Sequence, residues 1–382
     1  MKNFRLLIYM LVFAITSCNY SQSNSEGQEY LHELEELYAT PHFTIYKGDY
    51  FFVLEVSSIY QNFDGSERYV FYLKENKPPE LSNITHFFST PVESISISST
   101  THLGFLNELG VSGTIVGAKD LKYAYDKEFL NRLESGFIED LGLQQYNVEK
   151  LLELSESVNL AYAIDGSTYK EVLQLRAKGE RFILISEFME QDPIAKAKWM
   201  LPIAMLFGEK KMMEAIDYLE KLEVRYEELK SKVANLEQKP TVMIGLPWRG
   251  SWFVSGGDSF QARFIADAGG NYIWSDIVAK ASVPISMEKV FIDAIDADFW
   301  VNPGATNSIQ EILERDERFK NLKPMNTKQI YNQNKRLTKN DGNDYWESAV
   351  VHPDLVLADL IAIFHSEKLP NHDFTYYQKL KP

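Results

Sequence analysis

Glu209–Gln238 reads EKKMMEAIDYLEKLEVRYEELKSKVANLEQ, a stretch of strong helix formers with no glycine and no proline. Met212, Ile216, Leu219, Leu222, Tyr226, Leu229, Val233 and Leu236 recur at alternating steps of three and four, so they share one helical face. At 1.5 Å per residue the helix would run for about 45 Å, longer than a small domain is wide. Gly208 precedes it, and Lys239-Pro240 closes it ahead of the strand TVMIGLP. A coiled coil, a bundle helix and a bridge between two lobes all use such a seam. The pattern lasts little more than three heptads and has globular sequence on both sides, which argues against a coiled coil.

The chain has 382 residues, enough for two domains with ample core. Its net charge of −15 is spread out and no basic patch appears, which excludes a nucleic-acid partner and reads as a soluble surface. The one cysteine is informative by its position. Met1–Ser17 has a basic start (Lys2, Arg5), an apolar run (Leu6 to Ala14) and Ile15-Thr16-Ser17 before Cys18. This is the layout of a signal peptide over residues 1–17, too short to span a membrane. An aliphatic residue three before a cysteine resembles a bacterial lipoprotein box. Cys18 is therefore expected to carry lipid, with residues 18–40 as a polar tether and the protein exported and anchored to the cell envelope.

Beyond the tether, FTIYKGDYFFVLEV and RYVFYLKEN alternate as antiparallel strands, a β-rich extension over residues 41–90. From Glu93 short β runs alternate with helices: SISIS, the helix from Thr101, GTIVGAK, the helix from Val148, NLAYAID and RFILISE. TVMIGLP, FQARFIADAGG, MEKVFIDAI, DFWVNPG and QIYNQN repeat the alternation after the long helix, and a last helix runs from Pro353 to His365. Alternating strands and helices imply parallel sheets. The expected fold class is α/β: two Rossmann-like lobes (91–207 and 240–382) joined by one backbone helix (208–239), plus the extension. Asn147-Val148-Glu149-Lys150 and Ser286-Met287-Glu288-Lys289 stand at matched points of the two halves, each followed by a strand ending in a loop.

Motifs for catalysis are missing. There is no P-loop, no dinucleotide fingerprint, no G-x-S-x-G elbow and no cysteine beyond Cys18. The seven histidines are scattered without metal-ligand spacing, so no metal site is expected. These absences lower a surface lipoprotein enzyme as a reading, and no enzymatic activity or cofactor is expected.

A lipoprotein start, two α/β lobes and one connecting helix resemble the substrate-binding proteins of ABC importers, in the helical-backbone class that takes up ferric siderophores, haem and vitamin B12. The resemblance runs from about Pro91 to Ile363. It is carried by SISISSTTHLGFLNELG, IEDLGLQQYNVEKLLEL, SWFVSGGDSFQARFIADAGG and VPISMEKVFIDAIDADFWVNPG. The chain departs from the class at Ser157-Val158-Asn159, where a Pro-Asp pair is usual, and in its β-rich extension. The resemblance implies a monomeric receptor that binds a metal chelate and delivers it to an ABC permease and ATPase. In the class a glutamate on an outward helix of each lobe docks on permease arginines, and Glu149 and Glu288 occupy those places.

The ligand of such a protein lies where the carboxyl ends of parallel strands converge between the lobes. That rule points to Thr100, Thr101 and His102 after SISIS, Tyr123 and Tyr125 after GTIVGAK, Asp165 and Ser167 after NLAYAI, and Glu187 after FILIS. In the second lobe it points to Trp248, Arg249 and Trp252 after TVMIGL and to Asn302 after DFWV, with Trp346 and Glu347 in a late loop. The PWRGSW cluster is the sharpest signal: aromatic faces suit a flat or catecholate-like ligand, and Arg249 suits an anionic chelate. His102 and the two tyrosines are also candidate haem-iron ligands. A continuous spine helix resists bending, so lobe movement of at most a few ångströms is expected on binding.

Overall fold

A computed structural model describes residues 31–154, 156–248, 251–280 and 282–382, apart from the side chains of His32 and Trp248. The expected signal peptide, Cys18 and the first part of the tether lie outside the described residues, as does Arg249.

The chain first builds an outer sheet from β1 (Glu35–Ala39), β2 (Phe43–Lys47), β3 (Phe51–Val56), β4 (Glu67–Leu73) and β5 (His86–Thr90), paired in that order. Strand β1 falls in the stretch expected to be tether. Leu31, just before it, is buried with Val53 and Val70, so the folded extension begins about ten residues earlier than the polar composition suggests. This sheet shares its core with the first lobe. Phe43 meets Trp199 edge-on at 4.9 Å, and Arg176 grips the buried Glu67 carboxylate with two bonds of 2.5 and 2.9 Å.

The first lobe holds β6 (Ile95–Ile97), β7 (Ile115–Ala118), β8 (Glu139–Asp140), β9 (Val158–Ala161) and β10 (Arg181–Leu184). They lie in the order β10-β9-β6-β7-β8, and every pair is parallel. Ile95, Ile97, Val158, Leu160, Phe182, Ile183 and Leu184 are all buried, as expected of a parallel sheet covered on both faces. The second lobe holds β11 (Thr241–Ile244), β12 (Pro247–Trp248), β13 (Ser251–Ser255), β14 (Asn271–Tyr272), β15 (Ser282–Ile285), β16 (Phe299–Val301), β17 (Ile330–Asn332) and β18 (Gln378–Lys379). Five of these form the sheet β14-β11-β16-β17-β18, parallel except for β18. The other three form a separate antiparallel sheet, β12-β13-β15, which the strand–helix alternation did not suggest. The α/β class with two parallel-sheet lobes and a long helix is thus borne out.

The long helix spans Glu209–Ser231, 23 residues and therefore about 34 Å rather than the expected 45. It packs on the helix Met200–Met205 of the first lobe and on Pro353–Phe364 of the second. Tyr226 donates to Asp267 at 3.1 Å and Arg225 to Asp354 at 2.7 Å. Beyond Ser231 the apolar seam continues although the helix does not. Val233 and Leu236 fold against Gly269, whose φ of +74° and missing side chain leave room for them; a Cβ there would come within 3.0 Å of Val233.

Candidate functional site

Between the lobes lies a pocket built by short-range rules on each side. Leaving β6, the chain turns at Ser99, whose hydroxyl accepts from the Thr101 N–H and so starts the helix Thr100–Glu108. Thr101 is held in the first turn, where its Oγ1 donates to Glu187 Oε1 at 2.7 Å. Glu187 opens the turn that follows β10. Asp192 then caps the helix Pro193–Ala197 by accepting from Ile194 and Ala195 at 2.8 and 3.0 Å, and this helix brings Lys196 into the same space. From the second lobe come Phe260, at the start of the helix Phe260–Asp267, and Tyr345 and Trp346 from the turn Asp344–Trp346. The cavity is small, about 40 Å³, room for a few waters and well below the size of a typical small-molecule site.

Burial pushes the Glu187 carboxyl up, and Lys196 and Thr101 offset this only in part. Burial pulls the Lys196 ammonium down, against the pull of Glu187 and Glu190. Lys196 Nζ stands 4.6 Å above the Phe260 ring. The pocket is therefore a corner with aromatic and aliphatic walls, with Thr101 and Lys196 among its lining.

Beside the pocket the lobes touch along a seam. Glu347, 3% exposed, accepts from the backbone N–H groups of Tyr125 and Asp126 at 2.6 and 3.1 Å. Thr100 Oγ1 donates to the Trp346 carbonyl at 2.8 Å, and Gly104 lies so near the Glu347 carbonyl that any Cβ would collide with it. Arg336 pairs with Asp344 at 3.0 Å and stands 5.3 Å over the Tyr125 ring. Burial pushes the Glu347 carboxyl up to about 7; the charges of Asp344 and Asp126 add to this, and the two N–H groups oppose it.

Of the residues expected from sequence, Thr101 and Trp346 line the pocket, Glu187 is buried and bonded to Thr101, and Thr100, Tyr125 and Glu347 form the adjoining seam. Tyr123 stands 53% exposed nearby, under Lys122 at 4.8 Å. Trp252 requires correction. It is fully buried, its indole donates to the Ile244 carbonyl at 3.1 Å, and Trp300 and Phe319 each lie 5.7 Å away, so it is a core residue that β13 turns inward. His102 is also corrected: its ring is fully buried in the first lobe, and burial lowers its pKa to about 3, so it offers no iron ligand to the cleft. Asp165 caps the helix Gly166–Arg176, accepting from Ser167 and Thr168 at 3.0 and 2.8 Å, and these bonds hold its carboxyl below the usual range. Asn302, with φ of 53°, joins Gly245 and Tyr331 through its backbone and does not line the pocket. Trp248 enters β12 by its backbone.

Glu149 and Glu288 are exposed, each the second residue of a helix, Val148–Glu153 and Met287–Ala294. Sequence reasoning missed Lys196, Phe260, Tyr345 and Arg336. Asp192-Pro193 and Ser259 are helix-start signals and would have drawn attention to the first two. Among the described residues no group of three or more His, Cys, Asp or Glu is placed to hold a metal ion. A larger groove of about 1330 Å³ lies between the outer sheet and the lobes, lined by His42, Glu190, Asp192, Lys239 and Arg263 among others. Its lining combines residues at the amino ends of β11 and β14, Lys239, Gly270 and Asn271, with Glu190 and Asp192 from the segment after β10.

Residues 188–337 match the family model for periplasmic binding proteins. A periplasmic binding protein from Veillonella parvula has a TM-score of 0.58 at 13% identity, over 82% of this chain and 98% of that one. The chain has the fold of periplasmic binding proteins, and its residues 188–337 are similar to that family. An ABC-type Fe3+-hydroxamate transport system from Saccharomonospora viridis shares the fold with TM-score 0.54 and 17% identity, over 73% and 95%. The periplasmic vitamin B12 binding protein of Vibrio cholerae does so with TM-score 0.52 and 13% identity, over 73% and 99%. An uncharacterised lipoprotein of Methanocaldococcus jannaschii is 24% identical over 303 residues, 76% of this chain and 69% of that protein.

Proposed function

We propose that this chain is the extracytoplasmic, lipid-anchored receptor of an ABC importer, and that it captures an iron complex, a ferric siderophore, between its lobes. The observation that carries the reading is the pocket itself. It draws Thr101 and Lys196 from one lobe and Phe260, Tyr345 and Trp346 from the other, at the strand ends of the first lobe. The cavity itself admits only a small group, so the body of the chelate would lie across its mouth, along Trp346 and Tyr123, both well exposed. The fold shared with a Fe3+-hydroxamate transport component supports the siderophore. Delivery to the permease and its ATPase would use Glu149 and Glu288, one exposed carboxylate on each lobe.

A corrinoid is the second reading, supported by the fold shared with a vitamin B12 binding protein and by the flat aromatic walls. Haem is less well served, since the burial of His102 leaves only Tyr123 and Tyr125 of the expected iron ligands. Tryptophan emission tests the proposal. Among the five tryptophans whose side chains are described, Trp346 is 48% exposed and Trp199, Trp252, Trp274 and Trp300 are buried, so of these Trp346 reports on the pocket. Titration with a ferric siderophore should quench saturably, and Trp346→Phe should remove most of the response. Absence of quenching by ferric siderophores, cobalamin and haem alike would overturn the receptor reading.

A further inference from the structure

The second lobe sends a tongue across to the first. Residues 335–343 fold back on themselves: Leu337 and Asn343 pair as an antiparallel bridge, and the Thr338 N–H donates to the Gly342 carbonyl at 2.8 Å. The Gly342 N–H donates in turn to Thr338 Oγ1 at 2.8 Å. The roots stay with the second lobe, since the Lys335 N–H donates to the Tyr376 carbonyl and the Asn343 amide to the Gln333 carbonyl, both at 3.0 Å. The body of the tongue lies on the loop 121–126 that follows β7. Gly342 sits so close to the Ala124 carbonyl that a Cβ would collide with it, and Arg336 stands over the Tyr125 ring. Just past the tongue, Glu347 accepts from the Tyr125 and Asp126 N–H groups. The bonds that shape the tongue are thus distinct from the contacts that fasten it, and the second set can part without undoing the first.

This contact lies at the carboxyl end of a parallel strand, where ligands of such folds are held. The cavity left between the lobes is about 40 Å³, whereas small-molecule sites run to roughly 300–1,000 Å³. A chelate therefore needs space to be made for it. The lobes have little freedom to make it by swinging apart. The spine helix Glu209–Ser231 packs on both of them, and Thr100 bonds to the Trp346 carbonyl across the seam. Resting on the receptor reading above, we infer that the tongue 335–343 is a latch on the cleft, and that a chelate enters when the tongue and the loop 121–126 part while the lobes keep their spacing. Parting takes Arg336 off the Tyr125 ring and frees that ring to join Tyr123 as an aromatic face for the ligand.

Amide hydrogen exchange on the full-length protein in detergent reads the latch without a ligand, because the Tyr125 and Asp126 N–H groups exchange when Glu347 lets them go. Peptides covering 121–126 should exchange at least tenfold faster than those covering the buried strand β11. Gly342→Ala drives a methyl group against the Ala124 carbonyl. It should speed exchange at 121–126 by tenfold or more, with the spine helix unchanged and the thermal midpoint within a few degrees. Tyr125→Ala removes the ring on which Arg336 rests and should act in the same direction, which keeps the test open if Gly342→Ala folds poorly. Stopped-flow tryptophan emission with a ferric trihydroxamate, cyanocobalamin and haem then adds the ligand. Association of whichever probe binds should be about tenfold faster in Gly342→Ala than in the wild type. Exchange at 121–126 no faster than at β11, or association unchanged in both variants, would overturn the latch and leave the receptor reading standing. Binding of none of the three probes, by the wild type or by Gly342→Ala, would overturn both.

Discussion

In the first lobe the chain leaves β6 at Ile97 and passes at once into a capped helix, so that Thr100 and Thr101 open on the neighbouring lobe. In the second lobe the chain leaves β11 at Ile244 and goes instead into β12 and β13, which pair with β15. The residues after β11 are thereby drawn under an added sheet, and the Trp252 indole bonds back to the last carbonyl of the strand it follows. Equivalent positions at the end of a parallel strand thus line the pocket in one lobe and pack the core in the other. The second lobe supplies its share of the pocket from elsewhere, through Phe260, Tyr345 and Trp346. Convergence of strand ends locates the cleft; what the next segment pairs with decides which side chains reach it.

The lobes are most alike at Glu149 and Glu288. Asn147 and Ser286 cap their helices in the same way, accepting from Lys150 and Lys289 at 3.3 and 3.2 Å. If both lobes dock, Glu149→Ala combined with Glu288→Ala should abolish uptake by cells and leave ligand affinity within twofold, with each single variant intermediate. Loss of affinity in the double variant would place these carboxylates in the binding site instead.

The contrast at the strand ends is tested by Trp252→Ala and Thr101→Val. The first removes a large buried side chain and should cost about 3–5 kcal/mol in denaturant unfolding. The second should cost little stability and weaken ligand binding. A Trp252→Ala protein of normal stability but poor affinity would return that residue to the cleft.

The seam between the lobes should show in the pH dependence of stability. The Glu347 carboxyl titrates at about 7 in the fold against 4.5 for an ordinary glutamate. Between those values the folded state holds a proton that the unfolded chain has lost, so stability falls as pH rises through this window and is level for this group outside it. The loss from this one residue is about 3 kcal/mol. Glu347→Gln should flatten that portion of the profile, and an unchanged slope would assign it to other groups. Smallest of all, Asp165→Ala should lower stability slightly through loss of a helix cap, with no change in affinity. A drop in affinity would show that its exposed carboxylate reaches the ligand.

The long helix was legible because eight apolar residues at helical spacing leave no other regular structure open to them. Its end was not, since Val233 and Leu236 keep the apolar rhythm while the backbone turns toward Gly269, a residue far along the chain. The same distinction runs through the site. Thr101 and Glu187 follow strands that their own composition announces. Lys196 matters because the helix Pro193–Ala197 faces Phe260 of the other lobe, a tertiary relation without local signal. Trp252 misled for the corresponding reason: its burial depends on the pairing of β13 with β15, about thirty residues on.

The turn Asp344–Trp346 and Glu347 after it join two tasks in four residues. Tyr345 and Trp346 form a wall of the pocket, and Glu347 holds the opposite lobe by Tyr125 and Asp126. Any substitution that reshapes this wall also changes the spacing of the lobes, which leaves the segment little freedom to vary. Lys196 and Phe260 sit on separate helices outside the seam. A lineage reshaping this pocket would find its room for change at those two positions.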